Sequence, residues 1–247
     1  LEWSIFSLLS TSGGISRAAF DDRVRRLFRG PEAVDAELVQ TVLDSYRSPQ
    51  PTEDGLIHTD EDLQRRYAEH GEIVGLLADF AHRAGMRVWI TEREQRRRYG
   101  EVRLGDLLSD PEQRVYLPLV APGPQEVLEE IDCIWYVRGK GAFLIDVEWQ
   151  AAIDQAMLKR GPRIDSTDNL VRFLVVPDER TELLRLRLQR SPVLRHRMAT
   201  EYLNILKWSL VRRVRGSPRA ELSVLSPLLG LDPEIERGED KISLFDD

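Results

Sequence analysis

The chain has 247 residues, of which 42% are hydrophobic and 31% charged, with a net charge of −7. That length suits one large domain, or one with a smaller appendage, and a core that needs no staples. Its apolar runs are strand-sized, which excludes a bilayer span of roughly 20 residues, and its one cysteine, Cys133, excludes an intramolecular disulfide framework or a zinc ribbon.

His58, His70, His82 and His196 show no ligand-like spacing, so a metal is expected to be held by carboxylates. The chain opens on Leu1 without a leader-like run and reads as an excised domain or processed chain of a reducing cytoplasm. A charge of −7 argues against indiscriminate coating of nucleic acid, but the average hides an asymmetry. Lys159 to Arg219 carries 15 basic against 6 acidic residues, and Asp232 to Asp247 carries 7 acidic against 2 basic.

In chain order, residues 1–56 read as a helical unit. Helices are expected over Trp3 to Leu9, over Ser16 to Phe28 after the Gly13-Gly14 break, and over Pro31 to Tyr46. Such a triple could serve as a helix-turn-helix DNA reader. The small polar turn Ser10 to Gly14 is no P-loop, since no Gly-Lys-Ser/Thr follows. The second unit, residues 57–231, starts with a long helix from about residue 61 to Ala84. One of its apolar stripes is Leu63, Tyr67, Val74, Leu77 and Ala81, and Ile73, Leu76 and Phe80 form a second, so it should be packed on two sides. Gly85 ends it, and Met86 to Thr91 reads as a short buried strand. Signals from Glu92 to Pro124 are weak, with Arg96 to Arg98 in a loop or ragged helix and a strand possible at Val115 to Leu119.

Asp132 to Arg138 (DCIWYVR) and Ala142 to Gln150 (AFLIDVEWQ) are strands joined by Gly139-Lys140-Gly141, which predicts an antiparallel hairpin. A helix over 151–160, a strand over Leu170 to Val176 and a helix over Glu179 to Arg190 follow. From Pro192 through Trp208 the chain looks helical and basic, and residues 232–247 read as a loose acidic tail. Trp3, Trp89, Trp135, Trp149 and Trp208 fall on element positions that suit core packing rather than base stacking, and Cys133 suits a small core residue.

With Gly139 to Gly141 as the loop, Arg138 faces Ala142 and Asp132 faces Glu148. Alternation then places Asp146, Glu148 and Gln150 on one face of the hairpin and Phe143, Ile145, Val147 and Trp149 on the other. Carboxylates about 5 Å apart repel unless a cation lies between them or one of them is protonated, and a divalent ion is the economical answer. Oxygen ligands of this kind suit Mg²⁺ or Mn²⁺. An edge hairpin with a solvent face would alternate in the same way.

The element order, helix, three strands, helix, strand, with an Asp opening the second strand and an acid-x-acid-x-Gln run in the third, resembles the PD-(D/E)xK, restriction endonuclease-like nuclease superfamily over residues 61 to 190. LIDVEWQ is similar to the FEVE-type third strand of uncharacterised members. The resemblance implies an α/β fold: an αβββαβ core, a mixed sheet flanked by helices, here with an N-terminal helical unit. It also implies a divalent-metal-dependent DNA endonuclease, of the kind found in restriction-modification or defence proteins. Asp132 would be a metal ligand together with a third-strand acid. If that acid is Asp146, Glu148 stands where the superfamily carries Lys; if it is Glu148, Gln150 stands there. Glu72 on the first helix, with Glu69 in reserve, would reach the metal. Lys159, Arg160, Arg172 and Arg180 lie where phosphate contacts are useful. The expected partners are DNA and a second copy or further domains, with no membrane. Without the Lys, the domain could instead bind DNA without cutting it, or be a protein-interaction domain with surface acids.

Overall fold

The computed structural model describes residues 1–28, 34–46, 56–57, 59–110, 124–137, 141–150, 164, 170–200, 203–215, 222–225 and 229–230. At the start, α1 (Glu2–Ser10) buries Ile5 and Leu9 one turn apart. A two-residue strand, β1 (Ile15–Ser16), leads into α2 (Arg17–Leu27), whose cap is Ser16, with Oγ accepting from Ala19 N–H. Asp35 caps α3 (Ala36–Asp44) through Glu37 N–H, and β2 (Leu56–Ile57) closes a small antiparallel pair with β1. Ile5, Leu9, Phe20, Val42 and Leu43 belong to the same buried cluster as the central sheet.

Next, α4 (Asp60–Arg83) has acids in its first turn and His82 and Arg83 in its last, matching the helix dipole. Both of its expected stripes are buried at Ile73, Val74, Leu76, Leu77, Phe80 and Ala81. Gly85, at φ +75°, ends it: Met86 N–H reaches back to Ala81 O and Gly85 N–H to His82 O. The chain continues through β3 (Arg87–Ile90), α5 (Glu92–Gln95), the two-stranded β4 (Arg98–Tyr99) and β5 (Val102–Arg103), and α6 (Gln125–Leu128). Then come β6 (Cys133–Val137), β7 (Gly141–Val147), β8 (Leu170–Val176), α7 (Thr181–Arg190), α8 (Pro192–Thr200), β9 (Leu203–Lys207) and α9 (Trp208–Val214).

Five strands form a mixed sheet in the order β3-β6-β7-β8-β9. β3, β6 and β7 pair antiparallel, and β7-β8 and β8-β9 pair parallel. Helices flank it. Leu174 and Val176 of β8 pack with Leu184, Leu188 and Leu194 of α7 and α8, while Phe173 and Val175 join the main cluster with Phe80 of α4 and Trp135. Two expectations change. The stretch read as continuous helix after Pro192 contains β9, because Leu203 to Lys207 finds a parallel partner in β8 that no local pattern announces. The hairpin register is also shifted by two, with Val137 opposite Gly141 and Tyr136 opposite Ala142, so extending the ladder sets Asp132 against Asp146 rather than Glu148. A shift of two leaves every side chain on its expected face. The helix expected over 151–160, the strand at 115–119 and the tail at 232–247 lie outside the described residues. Among the described residues no helix is long and apolar enough to cross a membrane.

Candidate functional site

Three elements converge at the end of the sheet where β3 and β7 finish and β6 begins. β3 runs into α5, which presents Glu94, and Gln95 steadies this turn by donating to Ile90 O (2.9 Å). Asp132 immediately precedes β6, and its backbone carbonyl accepts from Thr91 N–H (3.1 Å). Its carboxylate is 4% exposed and accepts from Val147 N–H through Oδ2 (2.8 Å), which ties the start of β6 to the end of β7. His70 projects from α4, also 4% exposed.

The His70 ring stands between the two acids, with Nδ1 3.2 Å from Glu94 Oε2 and Nε2 3.8 Å from Asp132 Oδ2. One ligand atom from each of the three residues falls within 4.8 Å of the other two. Arg93 lies against Asp132 Oδ1 (2.5 Å) and Arg97 against Glu94 Oε2 (2.5 Å). Burial disfavours a charged His70, but Asp132 and Glu94 outweigh it and raise the imidazole to about 9. Burial likewise works against an ionised Asp132, and His70 and Arg93 overcome it, holding the carboxyl at about 2. His70 and Asp132 are therefore both charged at neutral pH.

A cavity of about 420 Å³ opens here. Charged and polar groups dominate its lining: His70, Arg93, Glu94, Asp132, Glu148 and Gln150, with Trp3 and Trp149 beside them. Two buried atoms of the triad, His70 Nδ1 and Glu94 Oε2, have no aligned hydrogen-bond partner. One imidazole and two carboxylates suit a divalent ion of intermediate hardness such as Mn²⁺. The residues present fit such an ion once His70 gives up its proton, since only the neutral imidazole ligates, so an ion there would displace that proton and compete with the two arginine pairs.

The site departs from the sequence expectation in its membership. Asp132, Glu148 and Gln150 do line one cavity. Asp146 does not join the metal-compatible group: it is in register with Leu174, and that face of β8 packs under α7 and α8. Glu148 does not join it either, because it follows the strand and turns Oε1 back onto Gln150 N–H (3.1 Å). The helix acid is replaced by His70. Glu72 instead pairs with Arg212 (3.0 Å), as does Glu69 (3.2 Å), beside a separate groove that also holds Asp79 and Tyr99.

The expected phosphate surface is also corrected in part. Arg172 is buried and donates to Ile164 O (2.8 Å), and Arg180 is fully buried, donating to Trp149 O (2.8 Å) and pairing with Glu2 (2.7 Å). Both are internal struts. Lys159 and Arg160 lie outside the described residues. Cys133 is buried and its thiol is pushed up by burial, so it is no nucleophile.

A signal for His70 was present: it falls within the stripe Leu63, Tyr67, Val74, Leu77, three residues after Tyr67 and four before Val74. Glu94 carried none, being one acid in an arginine-rich stretch. Comparisons of the chain with protein-family models, with curated proteins and with solved structures each find no match.

Proposed function

We propose that this chain is a divalent-metal-dependent phosphodiesterase domain acting on DNA, with a restriction endonuclease-like αβββαβ core running from α4 through β8. The observation that supports it most is the polar cavity that the buried His70, Glu94 and Asp132 line together with Glu148 and Gln150. His70, as the neutral imidazole, would hold the ion together with Glu94 and Asp132, its proton leaving to solvent as the ion binds. A divalent ion there supplies Lewis-acid charge against the negative charge that develops on a phosphodiester under attack.

The chain's own groups do the remaining work. Arg93 is 59% exposed and can leave Asp132 for a phosphate oxygen. Glu148, which lines the same cavity, accepts the proton of the attacking water. Gln150, next to it, orients that water. Arg97 stays in place, stacked on Tyr67 at 4.0 Å and donating to Tyr67 O (2.9 Å).

A second reading is a nuclease-like module that binds without cutting. It is favoured by the ion pairs of Arg93 and Arg97, which neutralise the acids without any metal. Calorimetric titration with Mn²⁺, followed by incubation with single-stranded and duplex DNA, separates the two. The proposal expects binding and cleavage by the wild type, and neither by Asp132→Ala. A wild type that binds no Mn²⁺ and cuts nothing leaves the second reading.

A further inference from the structure

The cavity has an aromatic lip that the chemistry above does not use. Trp3 lines the cavity and is 63% exposed, although its sequence position suggested core packing. Its ring stacks on Phe6 (5.7 Å between centroids, 30° between planes), and Phe6 meets the buried Trp149 edge-on at 6.0 Å. Tyr67, 54% exposed, meets Trp149 at 6.4 Å, and Arg97 covers the Tyr67 ring. A row of aromatic rings thus runs from Trp3 at the cavity through Phe6 and Trp149 to Tyr67, with its two end residues exposed.

Charge decides what such a row can hold. Glu94, Glu130, Asp132 and Glu148 line the cavity against His70, Arg93 and Arg97, so its wall carries no surplus of positive charge. Of the cations expected to contact phosphate, Arg172 and Arg180 are buried. A duplex, held chiefly through its phosphates, finds little among the described residues of the cavity. An unpaired nucleotide finds more: a base face on Trp3, and its phosphate within the compass of Arg93. Base stacking on aromatic rings is tolerant of sequence and contributes even where charge does not.

We propose that Trp3, with Tyr67 and Arg97 beside it, is a stacking site for an unpaired base, so that the strand presented to the cavity is single-stranded DNA. This rests on the phosphodiesterase reading for placing a phosphate in the cavity, but the stacking itself needs no metal.

The test therefore separates binding from cutting. In EDTA, fluorescence anisotropy of a labelled oligo(dT) strand and of a labelled hairpin duplex is measured with the wild type, Trp3→Ala and Trp3→Phe. Single-strand affinity should exceed duplex affinity, fall roughly tenfold to a hundredfold in Trp3→Ala and be largely kept in Trp3→Phe. Trp3 is exposed, so the variants should melt as the wild type does; a melting curve verifies it. Equal single-strand affinity in wild type and Trp3→Ala, or duplex bound as tightly as single strand, overturns the proposal. The former is also what a protein segment seated on Trp3 would give. Trp3-dependent binding without cleavage in Mn²⁺ would overturn the phosphodiesterase reading and keep the stacking site. Cleavage of duplex indifferent to Trp3 would do the reverse.

Discussion

Asp132 and Glu72 make opposite predictions although the sequence offered both as site residues. Asp132 lies within the buried group with His70 and Glu94, so Asp132→Ala and His70→Ala should each weaken Mn²⁺ binding by at least about tenfold, or 1.4 kcal/mol. Glu72 is engaged by Arg212 at 3.0 Å beside another groove, so Glu72→Gln should leave the calorimetric affinity unchanged. A large loss in Glu72→Gln would return the ion to the helix acid. Tyr99 offers a pH test away from this site. Partial burial, then the hydrogen bond to Asp79 (2.7 Å), raises its hydroxyl from 10.0 to about 12. A raised value means the folded chain holds that proton more tightly. The associated stability is therefore fully present below about pH 10 and lost as pH rises through about 12. Tyr99→Phe should reduce the alkaline loss of stability in urea titrations between those limits.

At the scale of elements, α4 meets the β4-β5 pair most tightly at Gly75. A Cβ on Gly75 would stand 2.2 Å from Tyr99 Cγ, so the helix is open there only because glycine has no side chain. Gly75→Ala should cost about 1–3 kcal/mol through displacement of the ring, despite alanine's better helix propensity. Thermal melting should show it as a lowered midpoint. Substitution at Gly85, where nothing lies within 4 Å but φ is +75°, would be strained for a backbone reason instead. The hairpin illustrates how small a geometric choice moves a site. Closing β6-β7 at Gly141 rather than Ala142 exchanges the residue opposite Asp132, and Glu148, beyond the strand, becomes a wall of the cavity instead of a partner carboxylate.

Across the whole molecule, the N-terminal helices are locked to the sheet by buried charge. Glu2 of α1 pairs with Arg180 and Arg187 at 2.7 Å each, and Tyr46 O–H donates to Gln150 O while Arg180 lies over its ring. Arg66, fully buried on α4, donates to Ser45 O. Removing Glu2 strands a buried guanidinium, so Glu2→Ala should destabilise by about 3–5 kcal/mol. Because these helices share the sheet's core, urea unfolding of both wild type and variant should remain a single transition, with tryptophan fluorescence and helical circular dichroism coinciding. Separate transitions would show that residues 1–46 fold as an independent unit.

Periodicity and turn chemistry were enough to place α1, α2, α4, β3, β6, β7 and β8 and to predict helices around a sheet, because apolar spacing and Gly or Pro stops are properties of neighbouring residues. Asp132 was legible for a related reason: an acid opening an apolar strand conflicts with its surroundings and stands out. Contacts between distant segments left no such mark. β9 exists through its pairing with β8, Glu94 enters the site through the turn after β3, and His70 meets Asp132 although the two lie 62 positions apart in the chain. Arg172 and Arg180 looked like surface cations because sequence records their charge, whereas burial depends on what packs over them. Partners such as Glu2 and the carbonyls of Ile164 and Trp149 are brought there only when the whole chain closes on one core, since pairing and desolvation are set by distances in space.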